Sequence, residues 1–134
     1  MNNLKYLSLL FLLLSPFSFA SENSKANDTL LSACYYGEFL LVKQALNDGA
    51  DINTRNHYDQ TPLHYAALRG HIRIVSFLLE AGADYKIKGT YNKTAHDWAV
   101  MHGHKKIVIM LKKWPKQVER AKREGTKPRT SDPI

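Results

Sequence analysis

Histidine is the side chain in this sequence best suited to metal chemistry, because the chain carries six histidines in 134 residues. Imidazole is among the most common protein ligands of zinc. His102 and His104, with His96 shortly before them, are close enough in sequence to share an ion. A helix break is expected at Gly103, however, and it leaves the relative geometry of these rings undefined. The spacing therefore predicts no metal site.

Catalytic groups are the next class to consider. The sequence has no glycine-rich phosphate loop after a strand, no carboxylate pair in a cleft-forming context and no nucleophile beside a positioned base. His96 and Asp97 are neighbours on a predicted helix, where adjacent positions do not face each other. Cys34 has no second cysteine to pair with and is expected to be a buried, inert thiol. We therefore predict that the chain is not an enzyme and uses no cofactor or small-molecule substrate.

The centre of the chain has residues typical of the starts and ends of two short helices. Thr61 offers a hydroxyl cap, and Pro62 suits the first helical position because no amide donor is needed there. Gly70 and Gly82 stand where helices end and where a left-handed backbone is often required. The segment therefore predicts a helix, a tight turn, a second helix and a loop.

The same unit recurs at a spacing of 33 residues. Three sets of residues align at this spacing, namely Gly37, Gly70 and Gly103, then Ala33, Ala66 and Ala99, then Val42, Val75 and Val108. A unit of this size cannot bury its apolar face alone, so such units stack on one another.

The central unit resembles an ankyrin repeat. Its residues 61–66 match the pattern T-P-L-H-x-A, and Gly70-His71, Leu78-Leu79 and Gly82-Ala83-Asp84 follow in the expected order. The resemblance implies an all-α repeat fold, a short solenoid of about three helix-turn-helix units with β-hairpin loops. It also implies a module that binds another protein. The repeats are placed at 27–56, 57–89 and 90–114, with the first and last as caps, and Asp28 is predicted to cap the first helix.

The resemblance also gives structural roles to three histidines. His64 is implied to bond to the Thr61 hydroxyl and to neighbouring backbone. His71 and His104 occupy the same position in successive repeats, directly after the turn glycine.

Residues 1–20 have the pattern of a signal peptide. Lys5 precedes an apolar run, Pro16 breaks that run, and Ser18-Phe19-Ala20 supplies the small residues that a signal peptidase reads. The run is shorter than the ~20 residues that span a bilayer. We predict export, with cleavage near Ala20 and a flexible leader over residues 21–26. A periplasmic or secreted location would make the chain similar to small periplasmic ankyrin-repeat proteins of bacteria.

Two surfaces are candidates for partner contact under this resemblance. One comprises the loops at 56–60 and 89–93, called here the first and second fingers, where Asp59 and Asn92 are predicted to adopt positive φ. The other is the concave face of the first helices, where Tyr35 and Tyr36 also point outward. Tyrosine, tryptophan and arginine dominate binding hot spots, although Tyr36, Tyr65 and Trp98 could instead pack between repeats. The predicted contacts are Tyr58, Asp59, Tyr65, Leu68, Arg69, Tyr91, Asn92, Trp98 and Met101.

Residues 115–134 differ in composition and are predicted to be a basic tail. From Lys112 to the end, eight lysines and arginines stand against three acids. A short helix is expected between Pro115 and Gly125, and disorder is expected after it. The tail is either a solvated extension that covers the last repeat or a weak contact for an anionic surface, such as lipid headgroups or an acidic partner. The lack of interleaved aromatic residues disfavours nucleic acid.

Overall fold

The computed structural model describes residues 22–130, which form six α-helices and one short 3-10 helix. The α-helices are α1 over 22–36, α2 Phe39–Asn47, α3 Pro62–Arg69, α4 Ile72–Glu80, α5 Ala95–Met101 and α6 Lys105–Glu124, and the 3-10 helix is Thr90–Asn92. The predicted all-α repeat fold is confirmed. The expected β-hairpins are tight turns instead, since no residue in 22–130 is assigned to a strand. The predicted signal peptide lies outside the described residues.

Threonine caps start the first helix of the second and third repeats. The Thr61 hydroxyl accepts a hydrogen bond from the His64 amide, and the His64 ring accepts one from the Thr61 amide. The third repeat builds the same capping box from Thr94 and Asp97. The Thr94 amide holds the pKa of the Asp97 carboxyl below its ordinary value. The same position therefore completes the capping box with an imidazole in one repeat and a carboxylate in the next.

Small residues let the first helices of successive repeats pack closely. Ala33, Ala66 and Ala99 lie at the 33-residue spacing and are fully buried. Cys34 is also fully buried, and desolvation raises the pKa of its thiol to about 12. The thiol is therefore neutral at ordinary pH, in agreement with an inert core residue. No helix within residues 22–130 is both long and apolar enough to cross a membrane.

The turn glycines of the first two repeats, Gly37 and Gly70, each receive an imidazole ring from the next repeat. His71 bonds through Nε2 to the Tyr35 carbonyl at 3.0 Å, and a Cβ on Gly37 would lie 2.6 Å from its ring. His104 repeats this contact with the Leu68 carbonyl at 2.9 Å and with Gly70, again at 2.6 Å. Both glycines have positive φ, so backbone and space alike exclude a side chain. The implied equivalence of the two histidines is confirmed, and the rings set the spacing of the repeats.

The first helix begins earlier than the sequence predicted. Residues 22–26, expected to be a flexible leader, lie in α1, and Asp28 is inside the helix and does not cap it. The added turn buries Ala26 and brings the Asn27 side chain within 2.7 Å of the Asp51 amide. In the next repeat the equivalent amide, that of Asp84, donates to the side chain of Asn53. Asn27 therefore does for the first repeat what Asn53 does for the second.

The last helix does not stop before Pro115. We expected a boundary at residue 114 and a separate short helix after it, but α6 runs unbroken from Lys105 to Glu124. Proline inside a helix removes one backbone hydrogen bond and usually kinks it. Here Trp114 and Ala121 lie on the same buried side of the helix, before and after the proline. Burial of that side outweighs the lost hydrogen bond.

The chain beyond α6 folds back onto α4, although disorder was expected there. Gly125 adopts a left-handed conformation, and the Thr126 amide bonds to the Ala121 carbonyl at 2.9 Å, which ends the helix. Thr130 is buried, and its amide and hydroxyl donate to the Glu80 carboxylate at 2.8 and 2.6 Å. The hydroxyl of Thr130 also bonds to that of Ser76. Residues 126–130 therefore belong to the folded unit.

Alanine at Gly70 and at Gly103 should differ in effect. Both glycines have similar positive φ, but Gly70 faces a histidine ring, whereas no neighbouring atom of residues 22–130 lies within 4 Å of a Cβ on Gly103. We expect Gly103→Ala to lower the free energy of unfolding by ~1 kcal/mol through backbone strain. Gly70→Ala should lower it by ~3 kcal/mol, because the His104 ring must also move. Urea denaturation measures both values, and equal losses would show that the ring contact contributes nothing.

Acid should destabilise the protein through His64. Burial lowers the pKa of His64, so its ring is neutral in the folded state, whereas the unfolded chain takes up a proton below about pH 6.5. The free energy of unfolding should therefore fall as pH drops below about 6.5, by up to ~1.4 kcal/mol per pH unit. His64→Gln should remove this slope, while His57→Gln, at an exposed finger position, should keep it. Denaturation curves between about pH 7 and 5 test this, and an unchanged slope in His64→Gln would refute it.

Candidate partner-binding surface

The first finger is a tight turn held by one asparagine side chain. The Asp59 amide bonds to the Asn56 carbonyl at 3.0 Å, and the Asn56 amide bonds to the Gln60 carbonyl at 3.1 Å. The Asn56 side-chain oxygen accepts from the amides of Tyr58 and Gln60 at 2.9 and 3.0 Å. Asp59 has φ 57°, so the predicted positive φ is confirmed. The Tyr58 ring projects from this fixed turn and is 69% exposed.

The second finger repeats the turn with more backbone strain. In this finger the Asn92 amide donates to the Gly89 carbonyl at 3.0 Å, and the Lys93 amide donates to the Thr90 carbonyl at 3.2 Å. Asn92 has the predicted positive φ, at 57°, but Tyr91 also has a positive φ, at 56°. Gly89 replaces Asn56 and has no side chain to accept from the Tyr91 amide. The Tyr91 ring is 81% exposed, so the strained backbone buries almost none of it.

The two fingers form one unit. The Thr90 hydroxyl donates to the Tyr58 carbonyl, across the gap between the repeats. A Cβ on Gly89 would lie 2.9 Å from the Asp59 carbonyl oxygen, so only glycine allows this approach. The two exposed tyrosines are therefore presented side by side on linked turns.

Tyr65 joins the first finger to the first helices. Its hydroxyl accepts a hydrogen bond from the Asn56 side-chain amide, at the base of the finger. Its ring meets the Tyr35 ring edge to face, with centroids 5.5 Å apart. Desolvation raises the pKa of Tyr65, so the hydroxyl stays protonated. Tyr65 therefore packs between repeats and also fixes the finger, as the alternative interpretation of this residue anticipated.

The exposed side of α1, α3 and α5, called here the first-helix face, centres on Tyr35. The Arg69 guanidinium lies 4.7 Å from the centre of the Tyr35 ring, and Tyr36 meets the same ring edge to face at 5.1 Å. Tyr36 is 70% exposed. Arg69 forms no ion pair with any residue in the range 22–130. The face thus offers aromatic rings and one positive charge held in place by cation–π contact.

The third repeat contributes an apolar side chain to the same face. Met101, at the end of α5, is 61% exposed. Trp98 is half-buried, its ring 6.0 Å from that of His102, and its buried Nε1 has no hydrogen-bond partner among the residues described. Trp98 is thus largely a packing residue, and Met101 is an exposed one.

The sequence prediction named nine contacts, and the structure separates them by exposure. The exposed residues are Tyr58, Asp59, Arg69, Tyr91, Asn92 and Met101, whereas Tyr65, Leu68 and Trp98 are half-buried. Tyr35 and Tyr36, which were predicted to point outward on this face but were not among the nine contacts, complete the surface. Their signal was present in the sequence, because they align with Leu68 and Arg69 at the 33-residue spacing.

The histidines do not assemble a metal centre in the described part of the chain. No group of three or more potential ligands comes together there. His102 and His104 stack with ring centres 6.3 Å apart, and the Nε2 of His104 is used by the Leu68 carbonyl. His64 also has a structural role, with Nδ1 accepting from Thr61 and Nε2 donating to the Lys93 carbonyl at 3.1 Å.

Comparison with known proteins identifies the repeat unit. A family model of ankyrin repeats in three copies matches residues 2–89 and 30–121. Ankyrin repeat domain-containing protein 46 of Danio rerio is 36% identical over 56 residues, which are 42% of this chain and 25% of that protein. The chain therefore matches about a quarter of that relative. Repeats of this kind generally mediate protein–protein interaction and are typically non-enzymatic scaffolds. The chain belongs to the ankyrin-repeat family.

Proposed function

We propose that this protein binds another protein through its two fingers and its first-helix face. The linked turns, the Tyr35 ring cluster and the exposed end of α5 form the contact surface. The proposal includes export to the periplasm or medium. The support for export is the signal-peptide pattern of residues 1–20.

The observation that carries the proposal is Tyr91. A non-glycine residue with positive φ costs about 1–2 kcal/mol, and 81% of this side chain is exposed. The fold thus accepts strain without gaining burial of the ring. Strain of this type concentrates at functional positions. A partner that covers the ring would supply the burial that the free protein lacks.

The surface favours a partner with apolar side chains beside a carboxylate. Tyr36, Tyr58 and Met101 expose large apolar areas, and aromatic anchors of this kind carry much of the energy of protein interfaces. Arg69 is held over Tyr35 with its charge unpaired among residues 22–130. A carboxylate of the partner would accept a charge-assisted hydrogen bond from the Arg69 guanidinium.

Affinity capture with the full chain, compared with the double variant Tyr58→Ser with Arg69→Ala, tests the proposal. A protein retained by the wild type should be lost by the double variant and kept by Lys112→Glu, a change on the exposed side of α6. Calorimetry on that protein should show a loss of ~2 kcal/mol or more, about thirtyfold in affinity. Retention of the same protein by the double variant would exclude this surface.

Tyr91→Gly should separate stability from binding. Glycine removes the strain at positive φ, so we expect the free energy of unfolding to stay equal or rise by up to ~1 kcal/mol while affinity falls. Tyr58→Gly is the matched control, since it deletes the same ring where φ is not positive. It should weaken binding and also lower stability by ~0.5–1 kcal/mol. A Tyr91→Gly variant that binds with full affinity would contradict the proposed role of the ring.

A further inference from the structure

The continuous helix α6 carries most of the protein's net positive charge. It holds eight basic and two acidic residues, a net of +6, whereas the whole chain carries +7. The buried side is formed by Ile107, Met110, Leu111, Trp114 and Ala121. The exposed side, called here the basic strip, comprises Lys105, Lys106, Lys112, Lys113, Lys116, Arg120 and Arg123.

The basic strip is regular because its residues recur two turns apart. Lys105 and Lys112 are seven positions apart, as are Lys106 and Lys113, which is ~10 Å along the axis. Lys116 and Arg123 continue the first row beyond the proline. The helix is about 30 Å long at 1.5 Å per residue. The strip is therefore a double row of charges, which extends beyond Pro115 because α6 continues through the proline.

The acids of the helix do not neutralise the lysines. Glu119 pairs with Arg123 at 3.4 Å, and Glu124 pairs with Arg120 at 2.9 Å. The other five members of the strip, all lysines, have no ion pair within residues 22–130. Their charge is therefore available to an external anion.

We propose that the basic strip docks the protein on an anionic lipid bilayer. Four to eight basic residues on one amphipathic helix are typical of contacts with anionic headgroups. Ile109 lies among the lysines and is 46% exposed, so it can enter the interfacial region. Lysine heads on flexible stems suit a fluid, planar array of phosphates, for which a bidentate fork is not needed.

The same geometry argues against a single-stranded nucleic acid as the occupant. Single strands are held by aromatic side chains on which bases stack. The one aromatic residue of α6, Trp114, is 2% exposed and faces the core. The strip thus offers charge and one aliphatic side chain but no stacking platform.

Vesicle cosedimentation with the full chain tests the proposal. Phosphatidylglycerol–phosphatidylcholine vesicles are compared with phosphatidylcholine alone, at low salt and at ~0.5 M salt. The test variant carries Lys105→Glu, Lys112→Glu and Lys116→Glu. The control carries Lys25→Glu, Lys43→Glu and Lys88→Glu, which are exposed residues outside α6, and has the same net charge. Residues 1–21 are identical in all forms, so their contribution cancels.

The wild type should prefer anionic vesicles, and salt should remove the preference. Since each basic residue near an anionic surface strengthens binding about fivefold, the test variant should bind at least ~10-fold more weakly. The control should stay within ~3-fold of the wild type. A second version of the test variant carries glutamine in place of each glutamate, so that it removes the positive charges without adding negative ones. Thermal unfolding of every form shows whether weaker binding reflects lost charge or lost folding.

Several outcomes would overturn the proposal. Equal losses in the test and control variants would mean that net charge alone acts, and binding without preference for anionic lipid would exclude a headgroup site. Duplex DNA and polyglutamate are run beside the vesicles at equal charge concentration. Tighter binding to either would assign the strip to nucleic acid or to an acidic protein.

Discussion

The contact between a turn glycine and the imidazole of the next repeat is the constraint on which the structure depends. His71 and His104 each fill the space above a glycine and bond to a carbonyl in the preceding repeat. Those carbonyls belong to Tyr35 and Leu68, whose side chains lie on the first-helix face. The interaction that spaces the repeats therefore also positions the residues proposed to meet a partner. Packing and presentation are set by the same two rings.

Much of the fold could be predicted because it follows from local rules repeated at a fixed spacing. Thr61, the turn glycines and the 33-residue spacing define helix starts, helix ends and stacking without knowledge of long-range contacts. The positive φ of Asp59 and Asn92 was predictable for the same reason. Where the sequence misled, the decisive contacts were distant. Burial on both sides of Pro115 keeps α6 intact, and Glu80 holds a segment fifty residues further along the chain.

The binding surface was predicted less completely than the fold. Exposure depends on which side chains their neighbours cover, and the sequence pattern alone does not show that Trp98 is half-buried while Tyr36 is exposed. The strain at Tyr91 was also beyond sequence reasoning. In the second finger Gly89 stands where the first has Asn56, so the side-chain acceptor that shapes the first finger is missing there.

The turn at Gly103 has a consequence for protein engineering. It keeps the left-handed backbone of the two earlier turns, and no neighbouring atom in the described part of the chain lies within 4 Å of its Cβ position. A copy of residues 71–103 inserted after it would place a new His71 ring over Gly103 and present another turn to His104. The array could thus be lengthened in steps of 33 residues, with α6 carried outward as a ready-made end cap. Each step would widen the recognition surface by one helix and one finger.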